Sequence, residues 1–267
     1  MGYIFNRDIY RLHRNRACNE LDSCNFLLKF CVEDLICRLK LIDKTFLYIL
    51  DLGARNGILT SRLRELYSNS TIIALEVAEK LLTQISDVSI IKVITEDDNI
   101  PFVNKSCNLI TSLLNMHWLN NFPKFLKQIF QTLTDDGAFI GCFFGEDTLA
   151  VLRKKLIDIE AILHLPHSPH ISPFVRFDDA VKLFQVSGFV TVVMDIETVE
   201  VEYDSCLKLM KELKNMAEAA KFYQIQRILP KKLLNFLTCN PEPIIEKFDI
   251  ITFTAFKNAK LLRIKNV

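Results

Sequence analysis

The 267-residue sequence has almost no net charge, with 33 basic residues against 32 acidic ones. That balance argues against nucleic acid or a membrane surface as the dominant partner. No apolar run is long enough to span a bilayer, because the most hydrophobic early segment is broken by Lys29, Glu33, Asp34 and Arg38. Eight cysteines are present, yet no two are spaced Cys-x-x-Cys, which excludes the usual zinc and thioredoxin-like motifs. Cysteine used as a small hydrophobe without metal spacing fits a reducing compartment, so a cytoplasmic location is expected. No signal or transit peptide is read at the start. No internal repeat or low-complexity linker divides the chain, and its many Ile, Lys, Asn and Phe residues point to an AT-rich bacterial genome.

What is there begins with hydrophobicity: half of the residues are apolar, enough for one large α/β domain with an appendage. Its centre is the stretch 47–60. Residues 47–50 predict a buried strand ended by Asp51, and Gly53 and Gly57 bracket a tight turn into a helical pattern over 58–67. Such a turn lets the backbone approach a ligand and aims free helix N–H groups at it. A phosphate-gripping loop would end Gly-Lys-Ser/Thr, but Gly57 is followed by Ile58 and Leu59. A dinucleotide fingerprint would need a third glycine. A second strand over 71–75 ends at Glu76, 25 residues after Asp51, where a strand–helix–strand unit delivers a carboxylate to ribose hydroxyls. Further strands are predicted over 90–94, 107–112, 138–144, 190–203 and 249–256, and helices over 126–133 and 177–186.

The form Asp51-x-Gly53-x-x-x-Gly57 resembles motif I of class I S-adenosylmethionine (SAM) dependent methyltransferases. The resemblance implies a Rossmann-like α/β fold, a mostly parallel sheet flanked by helices, with SAM as cofactor. It assigns cofactor contacts to Asp51, Gly53, Ala54, Arg55, Gly57, Glu76, Val77 and Leu113. In such proteins an acidic residue before a Leu-Pro-Phe-like step faces the adenine, here Glu96 or Asp97 ahead of Ile100-Pro101-Phe102. Arg55 stands where many relatives have glycine; it strains the backbone if its φ is positive, and otherwise points outward or reaches the cofactor carboxylate. After the fourth strand the chain reads Leu113-Leu114-Asn115-Met116-His117-Trp118, with neither Asn-Pro-Pro-Tyr nor Pro-Cys, so nucleic-acid base methylation is not expected.

The later segments Phe144-Gly145-Glu146-Asp147-Thr148-Leu149, Ser168-Pro169-His170-Ile171-Ser172-Pro173-Phe174 and Leu209-Met210-Lys211-Glu212-Leu213 carry a second likeness. They resemble bacterial relatives of the mitochondrial complex I assembly factor of methyltransferase type, a family also similar to the malonyl-carrier-protein methyltransferase of biotin synthesis. The likeness implies an enzyme acting on a protein acceptor, such as a respiratory complex I subunit, or on an acyl carrier protein. Arginine hydroxylation of that subunit, malonyl O-methylation and a non-catalytic assembly chaperone are the alternatives.

Catalytic candidates are His117, Trp118 and His170. Methyl transfer from a sulfonium needs chiefly alignment, and a base only where the acceptor must lose a proton. His164, His167 and His170 are spaced by three, but Pro166, Pro169 and Pro173 argue against one helix presenting them to a metal. The expected division is a helical lid over 1–43, a SAM-binding core over 44–203, a helical cap over 204–245, and a last strand and tail over 246–267. The arginines at 7, 11, 14 and 16 read as a solvated helix face, or as a small arm for an anion.

Overall fold

The computed structural model describes residues 3–96, 98–223 and 229–258. Strands β1 (Tyr48–Leu52), β2 (Thr71–Glu76), β3 (Ile91–Ile94), β4 (Cys107–Leu113) and β5 (Leu133–Phe144) are parallel, and β7 (Ile244–Phe256) lies antiparallel between β5 and β6 (Thr191–Tyr203). The order across the sheet is β3-β2-β1-β4-β5-β7-β6. This is the doubly wound, class I methyltransferase-type arrangement that motif I implied. The inner strands are apolar on both faces because both are covered. Ile49, Leu109 and Ile140 join one core cluster, and their neighbours Leu50, Ile110 and Phe139 join the other. Successive side chains on a strand point to opposite faces, so a one-residue slip would exchange the two cores.

Helices α1 (Arg7–Ala17), α2 (Phe26–Leu41) and α3 (Ile58–Leu66) contribute to the first cluster, as does the short α4 (Glu79–Leu82). Helices α5 (Phe122–Thr132) and α7 (Phe177–Val186) build the second, where Phe125, Phe139, Phe184 and Phe253 meet. Helix α6 (Ala150–Ile162) sits against β7, while α8 (Cys206–Asn215) and α9 (Lys231–Cys239) pack on each other. Capping fixes where several of these begin. Asn6 Oδ1 accepts from the N–H groups of Asp8 and Ile9 at 3.0 and 3.1 Å, and Asn121 caps α5 with Pro123 in its first turn.

Four expectations are revised. Asp51 does not end β1, which continues to Leu52. Strand β7 begins at Ile244 rather than at residue 249; the polar pair Glu246-Lys247 obscures its start, yet Glu246 is fully buried and its carboxylate accepts from the N–H groups of Val151 and Leu152 at the start of α6. The segment 204–240 is not helical throughout, because residues after Met216 leave the helix and turn inward. Strand β5 begins at Leu133, where a helix over 126–133 was expected, and not at residue 138. Of the N-terminal helices, α1 lies over the carboxyl ends of β1 and β2, whereas α2 packs on α3, β4 and β5. Among the described residues no helix is long and apolar enough to cross a membrane.

Candidate functional site

From β1 the chain passes through α3 to β2 on one side, and β4 lies on the other, so the carboxyl ends of β1 and β4 form the topological switch point where open α/β sheets bind ligands. The motif I loop sits there. Gly53 and Gly57 both have positive φ, +65° and +85°. A Cβ on Gly53 would lie 2.5 Å from the Asn115 side chain, and one on Gly57 2.8 Å from Ile85, so each glycine is required by conformation and by space. Ala54 N–H donates to Leu75 O, tying the loop to β2, and Leu113 ends β4 beside it. Asp51, Gly53, Ala54, Arg55, Gly57, Glu76 and Val77 thus lie together around this loop.

Asp51 is fully buried and accepts from Thr60 Oγ1 at 2.6 Å and Thr111 Oγ1 at 2.9 Å, so it braces the loop between α3 and β4. Burial raises it to about 6, the two threonine hydrogen bonds opposing and Glu76 adding to the rise. A carboxyl raised in the folded state binds its proton more tightly there than in the unfolded chain. Its cost to stability is therefore complete above about pH 6 and disappears as pH falls toward 4. Asp51→Asn is expected to be more stable than the parent at pH 7.5 by up to about 3 kcal/mol, with the advantage gone near pH 4. Urea denaturation across that range measures it; a constant difference between the two proteins would contradict the assignment.

Glu76 is buried and saturated. Oε1 accepts from Val77 N and Ala78 N at 3.0 and 3.1 Å, Oε2 from Arg55 N at 2.9 Å, and both oxygens pair with the Arg14 guanidinium, which also donates to Gly53 O at 3.2 Å. Glu96 lies after β3 and pairs with Arg7 and Arg11. Asp97 lies outside the described residues. The arginines of α1 are thus not all one solvated face: Arg7, Arg11 and Arg14, spaced by four and three, form one helical stripe that meets both acids, while Arg11 and Arg16 stay exposed. Tyr10, on the same helix, donates to Asn115 Oδ1 at 2.5 Å.

Arg55 has φ +54° and is buried, so the strained alternative holds, at a cost of roughly 1–2 kcal/mol. Its guanidinium neither points outward nor lies open. It donates to Leu114 O and Met216 O at 2.9 Å and to Glu218 Oε1 at 2.5 Å. Glu218 is the centre of this layer, for its Oε2 also accepts from Trp118 Nε1 at 2.8 Å and bonds His117 Nε2 at 2.9 Å. Phe144 N–H donates to His117 Nδ1, which leaves the proton on Nε2. Burial lowers His117, so a neutral ring meets the carboxylate. Burial works against the charge on Glu218, but the His117 contact, Arg55 and Lys221 outweigh it and hold the carboxyl below its usual range. Lys221, also buried, is driven well below the ordinary lysine value by desolvation, Glu218 opposing. Its Nζ lies 3.2 Å from the centre of the Trp118 ring. His117 and Trp118 therefore position Glu218.

Beyond Glu218 opens a cavity of about 300 Å³, walled by Leu149, Leu152 and the 169–174 loop on one side and by Met210, Leu213 and residues 218–220 on the other. His170 lines it, with Nε2 2.7 Å from Glu160, while His167 Nδ1 bonds the other oxygen of that carboxylate. These histidines converge on an acid. His13 also lines the cavity and is lowered to about 4, by burial first and then by Lys221. Arg14, Asn115, Glu218 and Lys221 were not identified as site residues from sequence, although Glu218 lies five residues beyond the segment ending at Leu213.

The residues fit SAM. The glycines let the loop turn tightly against Asn115 and Ile85, and among the described buried groups Asn115 Nδ2, Arg55 Nε and Lys221 Nζ have no hydrogen-bond partner, a set of donors suited to a ligand rich in acceptors.

Comparison with known proteins agrees with this geometry. The methyltransferase-domain family matches residues 27–194. A Rickettsia prowazekii protein named methyltransferase RP459 is 36% identical over 226 residues, covering 84% of this chain and 99% of that protein. The human mitochondrial arginine-hydroxylase NDUFAF5 is 34% identical over 220 residues, 81% of this chain but only 64% of that protein. A malonyl-[acyl-carrier protein] O-methyltransferase of Coxiella burnetii is 26% identical over 232 residues, 85% of this chain and 78% of that protein. A Bacillus halodurans methyltransferase structure superposes with a TM-score of 0.59 at 12% identity, over 85% of this chain and 100% of that one, a likeness of fold. On the strength of its sheet order, its glycine loop and these matches, the chain belongs to the methyltransferase-domain family and is an enzyme of the SAM-dependent class I kind.

Proposed function

We propose that this enzyme modifies an arginine side chain of a protein acceptor, with a respiratory complex I subunit as the first candidate. The observation that carries the reading is the charge of the cavity: among the described residues its lining includes the Glu218 carboxylate and no lysine or arginine. A guanidinium entering there meets the negative charge of Glu218, whose oxygens also accept from Arg55 and Trp118 and bond His117. A malonyl carboxylate would add a second negative charge with no lysine or arginine among the described wall residues, which weighs against the carrier-protein reading. The volume, about 300 Å³, suits one extended side chain.

Bound SAM supplies an activated methyl group. A guanidinium nitrogen must lose a proton to accept it, and His170, held by Glu160 and lining the cavity, is the group placed to take that proton. The glycine loop and the α1 stripe would hold the cofactor, and Glu218 would orient the acceptor. Hydroxylation is the second reading, favoured by the name of the human relative.

Mass spectrometry of the candidate subunit after incubation with enzyme and SAM tests this. The expected result is a methylated arginine peptide formed in step with S-adenosylhomocysteine. An added oxygen on that arginine, without S-adenosylhomocysteine, supports the second reading. Modification of malonyl carrier protein alone contradicts both, as does tight binding of the subunit with no modification, the behaviour of an assembly chaperone.

A further inference from the structure

Lys221 is buried to 1% exposure, yet its ammonium nitrogen has no hydrogen-bond partner among the described residues. It rests on the face of Trp118, with the Tyr10 ring centre 5.4 Å away. A ring face offsets only part of the cost of removing a lysine from water. Glu218 does not bond it directly, being occupied by Arg55, His117 and Trp118. Leaving this nitrogen unsatisfied is unfavourable unless a ligand completes it.

The surroundings identify the ligand. Tyr10 links Lys221 to Asn115, and Asn115 lies against Gly53, so the lysine belongs to the glycine-loop side of the site. Asn115 Nδ2 and Arg55 Nε are unpartnered donors in the same region, where Asn56 Oδ1 is an unpartnered acceptor. Lys221 is absent from the lining of the acceptor cavity, although its neighbours Ala220 and Phe222 are part of it. Its amine is thus on the glycine-loop side of the layer and not in the cavity wall. The ligand must bring an anionic group to the motif I loop, and the anionic group of SAM is the carboxylate of its methionine end.

We propose that Lys221 binds the methionine carboxylate of the cofactor. The inference rests on the SAM site described above. It makes Lys221 a cofactor-binding residue contributed by the cap, with Trp118 as the platform that keeps its amine in place.

Calorimetric titration with S-adenosylhomocysteine and with 5′-methylthioadenosine, which keeps adenosine and sulfur but lacks the amino-acid end, separates the possibilities. In Lys221→Met the affinity for S-adenosylhomocysteine is expected to fall at least tenfold, while that for 5′-methylthioadenosine changes less than twofold. Because the variant removes an unsatisfied buried charge, the free protein is expected to melt about 2–4 °C higher. Lys221→Arg, which keeps the charge, is expected to retain more of the S-adenosylhomocysteine affinity than Lys221→Met. Equal losses for both ligands, or no loss for either, would overturn the assignment while leaving the cofactor site intact. Failure of the wild type to bind either ligand would overturn the placement of the site itself, and the inference with it.

Discussion

Arg14→Ala is expected to lower the unfolding free energy by about 3–5 kcal/mol, the range for breaking a buried ion pair by removing one partner. The guanidinium and the Glu76 carboxylate are both fully buried. Three backbone N–H groups remain on Glu76 after the change, from Arg55, Val77 and Ala78, so the lower half of the range is expected. The same helix supplies a control. Arg11 pairs with Glu96 at a site where both side chains are substantially exposed, and Arg11→Ala should cost less than about 1 kcal/mol. Urea denaturation with an unchanged m-value reads both. Similar small effects from the two variants would mean that α1 is not anchored through Glu76.

The second large effect is expected at Glu218. Glu218→Ala strands the Arg55 guanidinium, the Lys221 ammonium and the indole N–H of Trp118 in a buried layer, and a loss of about 3–5 kcal/mol is expected. A double-mutant cycle with Arg55→Ala isolates the pair. Because Arg55 itself sits at φ +54°, its replacement relieves backbone strain only where glycine is installed, so the alanine cycle measures the ionic contact. A coupling energy of several kcal/mol is expected between these two positions. Additivity within about 0.5 kcal/mol would contradict a direct buried pair. The variants also bear on function, since the carboxylate that fixes the loop is the one that lines the acceptor cavity.

These two positions show how far the sequence could be read. Asp51, Gly53, Gly57 and Glu76 belong to one strand–turn–helix–strand unit, so spacing alone brings them together. Helix α7 has the bounds its apolar periodicity predicts, Phe177 to Val186. The rest of the site is long-range. Arg14 is 62 residues from Glu76, and Arg55 is 163 from Glu218. Neither pair has a local signature, and arginine on an N-terminal helix normally signals a solvated face. The start of β7 was hidden for a related reason: Glu246 is charged, and its burial is understandable only once the N-terminus of α6 is seen to lie against it. Arg55 was recognised as a departure from the glycine loop, but its partner comes from a cap whose inward turn after Met216 follows from packing and not from periodicity.

Hydrogen–deuterium exchange of the protein with and without S-adenosylhomocysteine tests the central claim, that the cofactor site lies at the carboxyl ends of β1, β2 and β4 beneath the cap. The account predicts slower exchange in residues 53–57, 76–78 and 217–221 on addition of ligand. Protection confined to the 149–174 wall of the acceptor cavity, with the glycine loop unchanged, would contradict it.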